Sequence, residues 1–183
     1  DKSAQVQTRL LGAHSVQPAL AAAAVGIVCG LTWPQIVEGL AQTPQTLRLT
    51  TLTAANGATL IDDSYNAGPA SMLAALSVLA EASGRRVAVL GDMLELGDYE
   101  EEGHRLVGKR AAAVAQILVA VGERGRLIGE EALAQGMPAE TVFFAAANDE
   151  AVAILQRLTG RGDTILVKGS RGMAMENIVR GLA

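Results

Sequence analysis

Short apolar runs alternate with segments of helical periodicity along most of the chain. Runs of aliphatic residues predict strands at 86–90, 116–121, 140–144 and 163–167. Apolar residues at helical spacing predict helices at 69–83, 101–114, 124–135, 149–159 and 173–182, with Asn148 as the cap of the fourth. Repeated strand–helix units favour a parallel sheet with helices on both faces, so we predict an α/β fold.

The segment before this alternation has a different pattern. Apolar and polar residues alternate from Leu47 to Thr53, which predicts a half-exposed strand. Asn56-Gly57 is a strong hairpin signal, and the apolar run Ala58 to Ile61 follows it. We therefore expect an antiparallel strand at the edge of the mostly parallel sheet.

Residues 12–42 predict two Ala-rich helices. Gly30 is a plausible end of the first helix, and Thr32 with Gln35 has the spacing of a capping box for the second. Two such helices need a partner surface to be stable. Together with a first residue that is not Met, this predicts that the chain begins inside a larger protein, with residues 43–46 as a linker.

Composition excludes several classes of function. The 183 residues are 50% hydrophobic with a net charge of −4 and no basic cluster, which argues against nucleic-acid binding. No apolar run is long enough for membrane insertion, and the first residues do not resemble a signal peptide. The single cysteine, Cys29, cannot form an internal disulfide, which fits a reducing, cytoplasmic location. We interpret it as a buried, inert thiol. Two histidines far from it offer no metal site.

Polar and glycine residues are concentrated where four predicted strands end. They are Asp62 and Asp63 with Ser64, Tyr65 and Asn66; Gly91 and Asp92; Gly122, Glu123 and Arg124; and Lys168, Gly169, Ser170 and Arg171. The carboxyl ends of parallel strands share one edge of the sheet, where ligands bind. The glycines would let backbone N–H groups approach an anion, and Lys168 or Arg171 would hold a carboxylate or phosphate. The alternative is that each glycine is ordinary turn punctuation.

One motif is excluded as a phosphate site. Gly103 to Arg110 reads GHRLVGKR, which ends in Arg where a P-loop needs Ser or Thr, and it follows an acidic run rather than a strand. We interpret it as the surface of a helix, with His104 as a surface or capping side chain.

Three further stretches carry a resemblance. LIDDSYNAGPASM, VAVLGDMLELG and LVKGSRGMAME resemble, in order and spacing, motifs of the Mur ligases of peptidoglycan synthesis, and GAHSVQPALAAAAVGIVCGL resembles the end of that family's central domain. The resemblance implies that residues 1–46 are the helical tail of a central ATPase domain. It implies that residues 47–183 form a C-terminal Rossmann-like domain.

The resemblance also implies an activity and its partners. The family uses ATP and Mg²⁺ to activate a carboxylate as an acyl phosphate, which an amine then attacks. The three motifs resemble most the members that add D-alanyl-D-alanine to UDP-N-acetylmuramoyl-tripeptide. ATP and Mg²⁺ would be bound mainly by residues upstream of this chain, so the chain alone is expected to be inactive. A monomer is expected.

Individual residues are implied by the same motifs. Asp63, Arg48 and His14 match nucleotide-binding positions. Substrate binding is implied for Tyr65, Asn66, Gly91, Asp92, Lys168, Ser170 and Arg171, with Arg171 or Lys168 on the terminal carboxylate of the dipeptide. No residue of this chain is assigned a catalytic or metal-binding role. Two alternatives remain open: a non-catalytic α/β ligand-binding module, and a sibling Mur ligase that adds another amino acid.

Overall fold

The computed structural model describes residues 5–8, 15–42 and 49–183. The chain divides into two compact units, Asp1–Thr46 and Leu47–Ala183. The assignment of the first unit to the tail of a central ATPase domain stays a prediction.

The first unit contains the two predicted helices, α1 (Val16–Val28) and α2 (Trp33–Ala41). The capping box is confirmed, because the backbone N–H of Thr32 donates to Gln35 Oε1 over 2.9 Å. Gly30 ends α1 with a φ of +81°, which suits glycine. The interpretation of Cys29 as a buried thiol was wrong: it follows the last turn of α1 on an exposed face.

The second unit contains the alternating strands and helices. The strands are β1 (Thr50–Thr53), β2 (Thr59–Asp63), β3 (Arg85–Gly91), β4 (Ile117–Val121), β5 (Val142–Ala145) and β6 (Asp163–Lys168). The helices are α3 (Pro69–Ala80), α4 (Glu100–Val114), α5 (Gly125–Ala134), α6 (Asn148–Leu158) and α7 (Glu176–Leu182). Among the described residues, none of the helices has the length and apolar character needed to cross a bilayer.

The sheet has the strand order β1-β2-β6-β3-β4-β5. β1 pairs with β2 antiparallel through the predicted turn at Gly57, whose φ is +85°, and the other neighbouring strands are parallel. Alternate residues of β3 face opposite sides: Val87 and Val89 join the core under α6 and α7, while Ala88 and Leu90 are buried on the other side. The predicted fold, with its antiparallel edge strand, is confirmed.

Several element boundaries differ from the predictions. β2 extends through Asp62 and Asp63, so both carboxylates lie within the strand rather than after it. The last predicted helix, 173–182, begins later: a 3₁₀ turn at Arg171–Met173 is followed by Ala174 in the left-handed conformation, and α7 begins only at Glu176. Arg171 therefore lies on a short turn between the end of β6 and α7.

A salt bridge at the amino end of the sheet gives a first prediction. Arg85 Nε and Nη2 donate to the two carboxylate oxygens of Asp163 over 2.9 and 2.8 Å, and these bonds hold the pKa of Asp163 below its usual value. This contribution to stability is present above the unfolded-state pKa of about 3.9 and is lost as pH falls through the lower folded-state pKa.

We expect the difference in unfolding free energy between wild type and Asp163→Asn, measured in urea, to shrink progressively below about pH 4. Glu101→Gln, which removes an exposed pair with Arg105, serves as the control and should show no comparable trend. A constant difference between wild type and Asp163→Asn down to acid pH would contradict the prediction.

Candidate functional site

The four predicted strand ends lie at one edge of the sheet. β2, β6, β3 and β4 are parallel neighbours in that order, so the loops that follow them leave from the same side. The loop after β6 lies between the loops after β2 and β3. This arrangement confirms the predicted convergence of the strand ends.

A buried ion pair joins the last residues of β2 and β6. Asp63 and Lys168 are register partners, and the Lys168 ammonium lies 2.6 Å from Asp63 Oδ2. The same ammonium donates to the backbone carbonyl of Asn66 over 2.8 Å. Lys168 is only 2% exposed, so its charge is directed into the protein and fixes the loop after β2.

Ser170 connects three of the loops. Its backbone N–H donates to the Asp92 carbonyl over 2.9 Å, and its Oγ accepts the Leu94 N–H over 2.8 Å. The hydroxyl also donates toward the Ala67 carbonyl at 3.4 Å. Because Ser170 is buried, the hydroxyl holds the loops after β2, β3 and β6 together rather than facing solvent.

Asp92 caps the helix that follows β4. Its Oδ1 accepts the Gly125 N–H over 2.7 Å, at the amino end of α5, where a negative charge is favourable. Its Oδ2 lies 3.8 Å from Nη1 of Arg124, whose Nε donates to Glu100 Oε2 over 2.6 Å. Asp92 therefore connects the loop after β3 to the loop after β4.

The glycines of the site are accounted for by the protein's own side chains. A Cβ at Gly91 would lie 2.8 Å from Met175 Sδ, and one at Gly169 would lie 2.7 Å from Met175 Cγ. The corresponding space at Gly122 is taken by the Asp92 carboxylate and by Met173. Packing against Met175, Met173 and Asp92 therefore explains the missing side chains, and the expectation that the backbone N–H groups of these glycines approach a ligand anion stays a prediction.

Three of the predicted site residues are exposed at this edge: Tyr65, Asn66 and Arg171. The Arg171 guanidinium carbon lies 5.2 Å from the centroid of the Tyr65 ring, within the range of a cation–π contact. This contact joins the loops after β2 and β6 at their solvent side. Among the described residues of the four loops and Lys168, Arg171 is the cation that makes no ion pair.

Two residues of the site were misinterpreted from the sequence. His104 is fully buried: its Nε2 accepts the Met93 N–H over 2.9 Å, and Nδ1 lies 2.6 Å from the Glu100 carbonyl. Its helical spacing with Val107, Gly108 and Ala111 could have indicated the buried face. Asn148 is the first residue of α6 rather than its cap, and its amide bonds to the carbonyls of Met173 and Ala174.

His14 and Arg48, two of the predicted nucleotide-binding residues, lie outside the described residues. Within the described ranges, no group of three or more His, Cys, Asp or Glu is arranged to hold a metal ion.

Comparison with known proteins decides the family. Residues 47–171 match the family described as "Mur ligase, glutamate ligase domain". The chain belongs to the Mur ligase family. The match covers the whole sheet, the loops after β2, β3 and β4, and the loop after β6 as far as Arg171.

Named members of the Mur ligase family align along nearly the entire chain. The UDP-N-acetylmuramoyl-tripeptide–D-alanyl-D-alanine ligase of Escherichia coli is 39% identical over 98% of the chain, and that of Bacillus subtilis is 36% identical over 94%. A crystal structure of MurF from Acinetobacter baumannii superposes with a TM-score of 0.80 at 34% identity over 96% of the chain. The chain spans 38–39% of the length of these relatives.

Proposed function

We propose that this chain is the C-terminal part of an ATP-dependent Mur ligase that joins D-alanyl-D-alanine to UDP-N-acetylmuramoyl-tripeptide. The names of the relatives and their similarity over nearly the whole chain support this activity. In the proposed reaction the dipeptide amine attacks the carbonyl carbon of an acyl phosphate. A C–N bond forms, the C–O bond to phosphate breaks, and the amine loses a proton. Asp63 is proposed to contact the nucleotide.

The observation that carries the substrate assignment is the position of Arg171. Its guanidinium is held over Tyr65 at the solvent side of the converging loops, and none of the described carboxylates pairs with it. An arginine fork matches the geometry of a carboxylate. We assign the terminal carboxylate of the dipeptide to Arg171 rather than to Lys168, because Lys168 is buried against Asp63.

The charges of the loops favour a substrate with one carboxylate. Lys168 is paired with Asp63, and Arg124 is paired with Glu100, which leaves Arg171 for a ligand among the described residues at this edge. D-Alanyl-D-alanine has one carboxylate, whereas an acidic amino acid such as glutamate has two and would need a second cation. The family description names glutamate, so glutamate is the sibling substrate to test against the dipeptide.

A titration of this chain tests the assignment. We expect D-alanyl-D-alanine to shift the Arg171 Nε–H resonance, and Arg171→Ala to weaken binding by roughly 10–100-fold, because a charge-assisted bond contributes about 1.5–3 kcal/mol. Arg126→Ala is the matched control, since Arg126 lies 5.4 Å from the Phe144 ring centroid in a similar arginine–aromatic pair outside the four loops.

Two further ligands serve as controls in the titration. The dipeptide with a C-terminal amide lacks the carboxylate and should not shift the Arg171 resonance. Glutamate should bind more weakly than the dipeptide. Equal binding of the amide and the acid would refute the role of Arg171, and tighter binding of glutamate would favour the sibling ligase.

A further inference from the structure

The segment that presents Arg171 contains an unfavourable backbone conformation. After the 3₁₀ turn Arg171–Met173, Ala174 has φ +47° and ψ +45°, the left-handed region that residues with a Cβ rarely adopt. Such a conformation persists only where surrounding contacts hold it. We call residues 169–175 the Arg171 turn.

One side chain from a distant part of the sequence holds this turn. Asn148 Nδ2 donates to the Met173 carbonyl over 2.8 Å and to the Ala174 carbonyl over 3.1 Å. These two carbonyls lie on either side of the Cα atom of Ala174, the residue in the left-handed conformation. On the other side, Met175 is fully buried in the space left by Gly91 and Gly169. The end of the turn is therefore fixed by a side-chain amide and by packing.

Asn148 does not serve its own helix. Side-chain bonds at the start of α6 are made by its neighbours: Asp149 Oδ1 accepts the Glu150 N–H, and Glu150 Oε2 accepts the N–H of Ala146, which precedes the helix. Both hydrogen bonds that the Asn148 side chain makes with the described residues go to the Arg171 turn. Its role therefore lies at the candidate site and not in capping.

We propose that Asn148 is a positioning residue for Arg171, and that it keeps the guanidinium over Tyr65 in the geometry that receives a ligand carboxylate. The ligand part of this inference rests on the proposed function. A turn released from Asn148 would let Ala174 leave the left-handed region and would move Arg171 away from the Tyr65 ring. The carboxylate site would then have to be formed on binding, which lowers affinity.

Two independent NMR readouts on this chain test the proposal. The first is the upfield ring-current shift that the Tyr65 ring imposes on the Arg171 side-chain protons. The second is the Kd for D-alanyl-D-alanine. In Asn148→Ala we expect the Arg171 shifts to move toward those of a solvent-exposed arginine, and the Kd to rise by roughly 10-fold, as for loss of one or two hydrogen bonds.

Asn56→Ala is the matched control. Asn56 Nδ2 also donates twice across a long sequence separation, to Thr159 O over 2.9 Å and to Thr159 Oγ1 over 3.2 Å, but at the opposite edge of the sheet. It should lower thermal stability comparably while leaving both readouts at wild-type values. A change of the same size in Asn56→Ala would assign the effect to general loss of stability and would overturn the proposal.

Further variants keep the test decisive. Ala174→Gly removes the Cβ that disfavours the left-handed region, so Asn148→Ala/Ala174→Gly should recover part of the Arg171 shift and of the affinity. If Asn148→Ala does not fold, Asn148→Ser, which keeps one donor, should show a smaller change in the same direction. Wild-type values of both readouts in the folded variant would overturn the proposal. Failure of wild type to bind the dipeptide would refute the proposed function, whereas the ring-current shift would still test the positioning by Asn148.

Discussion

Lys168→Met is expected to lower the free energy of unfolding by about 3–5 kcal/mol, because it leaves a buried carboxylate without its counter-ion. The methionine keeps most of the apolar stem, so little packing is lost. Asp63 would lose the ammonium at 2.6 Å, and the Asn66 carbonyl would lose a donor at 2.8 Å. Urea denaturation of wild type and variant measures the difference.

Two comparisons separate the pair from its surroundings. Lys168→Met/Asp63→Asn removes both charges and should cost less than Lys168→Met alone, because the unpaired charge is the main penalty. Arg126→Met breaks the ion pair with Glu130, in which both side chains are exposed, and should cost about 1 kcal/mol or less. Equal losses in Lys168→Met and Arg126→Met would contradict the expected penalty for an unpaired buried carboxylate.

Gly122→Ala is expected to destabilise the protein by about 2–4 kcal/mol, from backbone strain and overpacking together. Gly122 has a φ of +92°, and its new Cβ would overlap the Asp92 carboxylate and lie 2.7 Å from Met173 Cε. Asp92 would have to move away from the Gly125 N–H that it accepts, so the cap of α5 would be weakened as well. Urea denaturation measures the loss.

Gly136→Ala isolates the packing part of that effect. Gly136 has nearly the same φ, +91°, but nothing lies within 4 Å of the position that a Cβ would take. Gly136→Ala should therefore lower the free energy of unfolding only by the backbone strain, about 1–2 kcal/mol. If the two alanine variants were equally stable, contact with Asp92 and Met173 would not explain the glycine at position 122.

The sequence pattern was sufficient to predict the sheet and the edge that carries the site. Continuous apolar strands such as β3 require cover on both faces, and parallel strands place their carboxyl ends together. The polar residues that follow them could therefore be grouped without knowledge of the coordinates. The strand order did not have to be predicted for this purpose, because the carboxyl ends of parallel strands lie at the same edge of the sheet in any order.

The partners of the site residues could not be predicted in the same way. The Lys168–Asp63 pair depends on the register of two strands that lie 105 residues apart. Met175 occupies the space beside Gly91 and Gly169, and this contact depends on where the chain turns after β6. Asn is a residue type that is favoured at helix caps, so the sequence around Asn148 indicates a cap. Its bonds to the Arg171 turn are made to residues 25 and 26 positions away. Local patterns carry no information on such long-range contacts.

The single hydroxyl of Ser170 has an implication for how ligand preference can change in this domain. Since it is bonded to the loops after β2 and β3 from its own position after β6, an insertion or deletion that displaces Ser170 would release both of the other loops. Changes of ligand preference that keep this hydroxyl in place are then exchanges of single outward side chains, such as Tyr65 and Arg171, on a loop of constant length.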